Sequence, residues 1–169
     1  MIQPFMCNFA NIWDFVVYKK DVCRVTDYKE KHIKSADYYE LVSILDSTLK
    51  IVVPVNSGFL RSVLSKDEAE TIIDMIPSIG TIEVNDKMIE NEYKRLLHEE
   101  GYEGLIKIIK TTYLRNEDRV NNKRKISEKD DNYFNLAEKY LYSEFAVALD
   151  IPYDKVKEYV IDRINKKRN

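Results

Sequence analysis

The hydrophobic period of this chain changes near residue 65, and few architectures accommodate such a change. Upstream, apolar residues gather in short runs rich in β-branched and aromatic side chains, separated by polar turns. Phe15-Val16-Val17-Tyr18 is ended by Lys19-Lys20-Asp21, and Val22-Cys23-Arg24-Val25 follows as a second strand would. Residues 38–44 and 49–55 supply two more strands, divided by the turn Asp46-Ser47-Thr48. Pro54 has no amide hydrogen for a ladder, so the fourth strand is predicted to end there or to lie at an edge. Short strands with tight turns point to a small, strongly bent sheet or open barrel.

Downstream the spacing is helical. Ser65-Lys66-Asp67-Glu68 reads as a capping box, in which serine and glutamate satisfy free amides at a helix start. Ala69, Ile72, Ile73 and Ile76 form the first stripe, stopped by Pro77. Ile89, Tyr93, Leu96 and Leu97 form a second, with Asn85 as cap and Gly101 as terminator. Leu105, Ile108, Ile109, Thr112 and Tyr113 carry a third. Phe134, Ala137, Tyr140, Leu141, Phe145 and Leu149 carry a fourth, interrupted by Ile151-Pro152. Tyr153, Val156, Tyr159, Val160 and Ile164 mark the last. The expected fold class is α+β: a β-domain over residues 1–64, then an all-α helical domain over 65–169.

Composition narrows the function classes. With 44% hydrophobic and 33% charged residues, the 169-residue chain has the balance of a folded protein. No apolar run approaches the roughly 18 residues of a membrane span. The opening Met1-Ile2-Gln3-Pro4-Phe5-Met6 lacks the basic and apolar regions of a signal peptide, so no membrane association and a cytoplasmic location are expected. Cys7 and Cys23 form no metal-binding pattern and are expected as free thiols. The net charge is only −2, but residues 107–129 hold eight cations, Lys107, Lys110, Arg115, Arg119, Lys123, Arg124, Lys125 and Lys129, against Glu117, Asp118 and Glu128. That segment is a candidate electropositive strip. The bland alternative is a solvated helix face.

Taken in order, these segments resemble the CarD family and the related polymerase-interaction domain of the transcription-repair coupling factor. Ile12-Trp13-Asp14-Phe15-Val16-Val17-Tyr18 is similar to the family's opening strand. Tyr38-Tyr39-Glu40-Leu41, Ile51-Val52-Val53-Pro54 and Phe59-Leu60-Arg61 follow as its Tyr-rich strand, its Val-Pro strand and its arginine. Ser65–Glu68, Glu92-Tyr93-Lys94 and residues 137–146 resemble its helical half. The ordered set, covering residues 9 to 165, carries the likeness, because no single piece is specific. Trp13 stands where the family has glycine, and Asp21 near a second turn glycine, so the first turn is expected to be rearranged. Trp13 can serve as a core anchor or as a solvent-facing handle, and core packing is the favoured of the two.

The resemblance implies a Tudor-like β-domain that binds the RNA polymerase β subunit by strand pairing, and a helical domain that touches promoter DNA upstream of the melted region. An edge strand suits the first contact, because its unpaired amides and carbonyls can extend a partner sheet. The positions implied for polymerase are Lys31, His32, Ile33 and Val52, the last replacing an arginine of some members; otherwise Lys31 is solvated, and Ile33 and Val52 belong to the core. For DNA they are Ile89, in place of a tryptophan at the minor groove, and Lys94 with Arg95. Lys110, Arg115, Arg119, Lys123, Arg124 and Lys125 of the strip would make phosphate contacts, which position without reading sequence. Glu90 and Glu92 beside Ile89 oppose such a contact.

No catalytic constellation is present: there is no Gly-rich phosphate loop, no H-E-x-x-H and no G-x-S-x-G. His32 and His98 have no spaced partners for a ligand set. A non-enzymatic regulator without metal or cofactor is therefore expected, acting as a monomer through weak, polymerase-dependent DNA contact that stabilises the open promoter complex. The competing reading is a protein-interaction module that binds polymerase or another protein without touching DNA, and a third is a structural or sensory protein with an SH3-like domain.

Overall fold

A computed structural model describes residues 10–99 and 101–168, except the side chains of 31–33 and 168. Five strands are followed by five helices: β1 Phe15–Tyr18, β2 Asp21–Ile33, β3 Ala36–Ser43, β4 Lys50–Pro54, β5 Leu60–Ser62, α1 Lys66–Met75, α2 Ile89–His98, α3 Glu103–Asn121, α4 Glu128–Leu149 and α5 Tyr153–Arg168. The chain is α+β, with the β-to-α transition at the change of period. Two compact units are formed, Met1–Lys66 with Ser143–Ile151, and Asp67–Tyr142 with Pro152–Asn169.

The first unit is built on one antiparallel sheet of order β4-β3-β2-β1-β5. The β2–β3 hairpin turns through Lys34-Ser35, both at positive φ (49° and 61°), between the paired Ile33 and Ala36. Two left-handed residues in a two-residue loop match the right-handed twist of the flanking strands. The pairing shifts register between Val25 and Asp27 and again between Lys29 and Ile33, and such bulges bend a strand and increase its twist. Val16, Cys23, Val25, Tyr39, Leu41, Val53 and Leu60 form the core of this sheet. Cys23 is a free, fully buried thiol, whose pKa burial pushes up to about 12. Cys7 lies outside the described residues.

Trp13 corrects an expectation. It is 66% exposed rather than packed, and it adopts φ +81° where the resembled family has glycine. The backbone there turns as a glycine would, its amide donating to the Val25 carbonyl, and this geometry directs the indole outward. The second positive φ of this turn region falls at Lys19 (58°), two residues before Asp21.

Ser143–Ile151, the end of α4, groups with the sheet unit, and one interaction gives the reason. Glu144 is 2% exposed and accepts two hydrogen bonds from the Arg61 guanidinium, at 2.6 and 2.9 Å, and one from the Leu64 amide at 3.1 Å. A carboxylate so buried requires this fork of donors.

In the second unit the predicted stripes are largely the buried ones: Ala69, Ile72 and Ile73 in α1; Ile89, Tyr93 and Leu96 in α2; Leu105, Ile108 and Thr112 in α3; Ala137 and Leu141 in α4; Val156 and Val160 in α5. Tyr113 departs from its stripe and is 56% exposed. Asn85 accepts from the Met88 amide (3.1 Å) but is not the cap that its sequence position suggested: Met88 precedes α2 and makes no side-chain cap bond. At Gly104 an added Cβ would lie 2.9 Å from the Leu96 carbonyl oxygen, a close approach of α3 to α2 that only glycine permits. Among the described residues, no helix is long and apolar enough to cross a membrane.

Candidate functional site

The sheet ends at β4 on one side and at β5 on the other, and no described strand pairs beyond either. β5 has three residues and β4 five, so β4 offers the longer margin. Its ladder with β3 is bracketed by two bonds, the Val55 amide to the Asp37 carbonyl (3.0 Å) and the Ser43 amide to the Leu49 carbonyl (3.4 Å). Backbone groups alternate in direction along an antiparallel strand. With Tyr39 opposite Val53 and Leu41 opposite Ile51, the groups of Ile51 and Val53 face β3, and those of Lys50 and Val52 face away. Pro54 presents a carbonyl on the same outer side but no donor.

Val52 is 44% exposed and stands opposite Glu40, so it does not belong to the core. Around it the sheet face is charged. Glu40 pairs with Lys29 (3.1 Å) and Lys50 (3.6 Å), and the hydrogen bond from Lys29, with Lys50 nearby, holds its carboxyl below the usual range. The backbone at Lys31, His32 and Ile33 ends β2, while the side chains of all three lie outside the described residues.

The residues expected to face DNA are engaged in different ways. Ile89 is 3% exposed and packed inside the second unit, so it is not available as a groove wedge. Its place at the first turn of α2 points its side chain to the core, while Glu90 and Glu92 remain at the helix start. Lys94 pairs with Glu90 (2.9 Å), and Arg95 pairs with both Glu92 and Glu99. Lys110 is also removed from the strip: its ammonium donates to the Ile76 carbonyl (2.5 Å) and to that of Ile79, capping the short 3-10 turn after α1. Arg115 donates from Nε to Asp130 (3.1 Å) and from Nη1 to Asp86 (2.7 Å). Asp130 is 1% exposed and also accepts from the Tyr93 hydroxyl (3.1 Å), so this arginine holds the fold. Burial, with Asp130 close by, pushes the Tyr93 hydroxyl pKa up.

What the strip retains is a cluster at the α3–α4 turn. Among the described residues, no carboxylate lies within ion-pair distance of Arg119, Lys123, Arg124 or Lys125. Lys123, at φ 56°, ends α3 in a Schellman motif: its amide donates to the Val120 carbonyl (2.9 Å) and that of Arg124 to the Arg119 carbonyl (2.8 Å). Lys123 thus takes the left-handed position usual for glycine, and Lys123, Arg124 and Lys125 are all exposed.

Sequence reasoning missed the pairing of Arg61 with Glu144, 83 residues apart, although both lie within the stretches that carry the family resemblance. The pairing of Arg115 with Asp86 and Asp130 was likewise missed. Compared with known proteins, the sequence matches no protein-family model, and no curated protein matches it either.

Proposed function

We propose that this chain is a transcription regulator of the CarD type, whose Tudor-like first unit adds its β4 edge to a sheet of the RNA polymerase β subunit. The observation that supports this reading is the outer side of β4, where Lys50 and Val52 direct amides and carbonyls away from the sheet, with no partner strand among the described residues, beside an exposed Val52 side chain. Strand addition draws its affinity from such groups and its specificity from alternate side chains. The second unit would then reach promoter DNA through Arg119, Lys123, Arg124 and Lys125, as phosphate contacts that position without reading sequence. Tethering by polymerase raises the effective concentration of so weak a contact, and preference for the open promoter would shift the opening equilibrium.

A second reading is favoured by one specific observation: Ile89 is buried, and Lys94, Arg95 and Arg115 are engaged with carboxylates of the same chain. On that reading the chain binds protein partners without touching DNA.

Val52→Pro tests the first contact in the full chain. It removes the outward amide of Val52 while leaving the bonds to β3, a substitution that edge strands tolerate. The expected outcome is retention of the polymerase β subunit by the wild-type chain and at least about tenfold weaker binding by the variant, equivalent to about 1.4 kcal/mol. Equal binding by the two, or none by the wild type, overturns the reading. Charge reversal at Lys123, Arg124 and Lys125 separates the alternatives, since loss of promoter-complex stability requires DNA contact.

A further inference from the structure

The charge that the second unit presents differs from the charge its sequence counts, and two exposed acids outside the basic segment contribute to the difference. Glu90 is shared by Lys94 and Lys129, each at 2.9 Å, and both lysine side chains remain at least half exposed (58% and 50%). Glu90 and Lys129 also line an open groove of about 550 Å³, together with Glu128, Asn132, Tyr133 and Leu136. Asp86 is 83% exposed and takes the outward end of Arg115, whose other end is fixed by the buried Asp130. Asp130 is part of the packed interior. Asp86 and Glu90 are surface counter-charges on donors that a phosphate could otherwise take.

We propose that Asp86 and Glu90 form an internal electrostatic mask, which holds Arg115, Lys94 and Lys129 and leaves the unpaired cations of the α3–α4 turn as the part of the basic segment open to a polyanion. The inference rests on the DNA half of the proposed function and names its regulation. Exposed ion pairs are worth roughly 0–1 kcal/mol, so a dense array of phosphates can displace them. The mask therefore weakens binding without abolishing it. The lowered pKa of Glu90, at about 2 through its hydrogen bonds from Lys129 and Lys94, keeps it ionised at neutral pH. Of the nearby acids, Glu128 faces the same groove and stays in place in the test below.

The test is titration of a short mixed-sequence duplex DNA into the full chain over a range of salt, for the wild type, Asp86→Asn, Glu90→Gln, the double variant, and K123E/R124E/K125E. Four unpaired cations correspond to a slope of log K against log salt near −3.6, and each released cation steepens it by about 0.9. The double variant, which releases three cations, is expected to bind several-fold tighter at low salt with a slope steeper by about 2.7, and the turn reversal to weaken binding. If the turn reversal weakens binding but neither acid variant tightens it, the mask is overturned and the DNA reading stands. If the wild type does not bind, or the turn reversal changes nothing, the DNA reading falls and the mask with it. Asp86→Asn is the variant that keeps the test sound should Glu90→Gln disturb folding, because Asp86 is almost wholly in solvent.

Discussion

Removal of either partner from the Arg61–Glu144 pair should destabilise the sheet unit by unequal amounts, and the inequality follows from burial. The Glu144 side chain is 3% exposed and the Arg61 side chain 41%. Arg61→Ala removes two of the donors to the buried Glu144 carboxylate and leaves it the Leu64 amide. Orphaning a buried charge costs about 3–5 kcal/mol, a large part of the 5–15 kcal/mol that holds a typical domain. Glu144→Ala leaves the guanidinium able to turn into water, so the main losses are the Leu64 hydrogen bond and some packing, about 2 kcal/mol. The double variant should cost less than the sum of the two by about 2 kcal/mol, since neither residue then awaits a partner. Urea unfolding measures this, with fluorescence of Trp13, the one tryptophan of the chain, reporting on the same unit. Equal costs for the two single variants, or additivity within about 0.5 kcal/mol in the double, would refute the assignment of Glu144 as the buried charge on which α4 and the sheet depend.

Three further outcomes are expected. Asp74 is held at a pKa of about 2 by hydrogen bonds from Arg163 and Lys167, against about 3.9 when unfolded. Because the folded value is the depressed one, its stabilisation is present above about pH 4 and is lost as pH falls toward about 2; unfolding free energies across that window should fall less steeply for Asp74→Asn, and an unchanged slope would exclude the contribution. Gly104→Ala should destabilise the helical unit by about 1–2 kcal/mol in thermal or urea melts, because the 2.9 Å approach to the Leu96 carbonyl outweighs the better helix propensity of alanine. Trp13→Gly should raise the melting temperature by a few degrees, since strain at φ +81° costs about 1–3 kcal/mol and an indole 66% exposed contributes little burial; a lower melting temperature would show that the indole packs more productively than its exposure implies.

How far the fold was legible depended on whether local pattern or distant pairing decided each element. The helices followed from their stripes, because burial of one face is a local property repeated over several turns. β1 and β4 were equally plain, and Pro54 marked an edge strand. β2 runs eight residues past the expected Val25, through Thr26-Asp27-Tyr28-Lys29-Glu30-Lys31-His32-Ile33. That stretch is polar, and pairing with the Tyr-rich β3 sustains it. β5 is three residues long, too short to show alternation, and exists because β1 needs a second neighbour. The turns at Lys19, Lys34 and Ser35 use left-handed backbone without glycine or asparagine, so the usual markers were missing.

The basic strip shows why a charge count along a chain is a poor guide to a surface. Eight cations and three acids within residues 107–129 suggested a continuous positive face, yet the counter-ions come from elsewhere in the sequence: Glu103 for Lys107, Asp86 and Asp130 for Arg115, Glu90 for Lys129. Lys110 satisfies backbone carbonyls instead of meeting solvent. The cations left unpaired are those at a helix end, where the Schellman turn carries the chain into solvent and no carboxylate lies within ion-pair distance among the described residues. The same logic applies to Ile89. The family resemblance made it a candidate wedge despite its glutamate neighbours, but an isoleucine at helical spacing with Tyr93 and Leu96 shares their buried face. The surface that residues 107–129 would offer a polyanion is therefore narrow, at the α3–α4 turn. Any affinity it has must be modest unless the first unit, through the open edge of β4, brings it to its target.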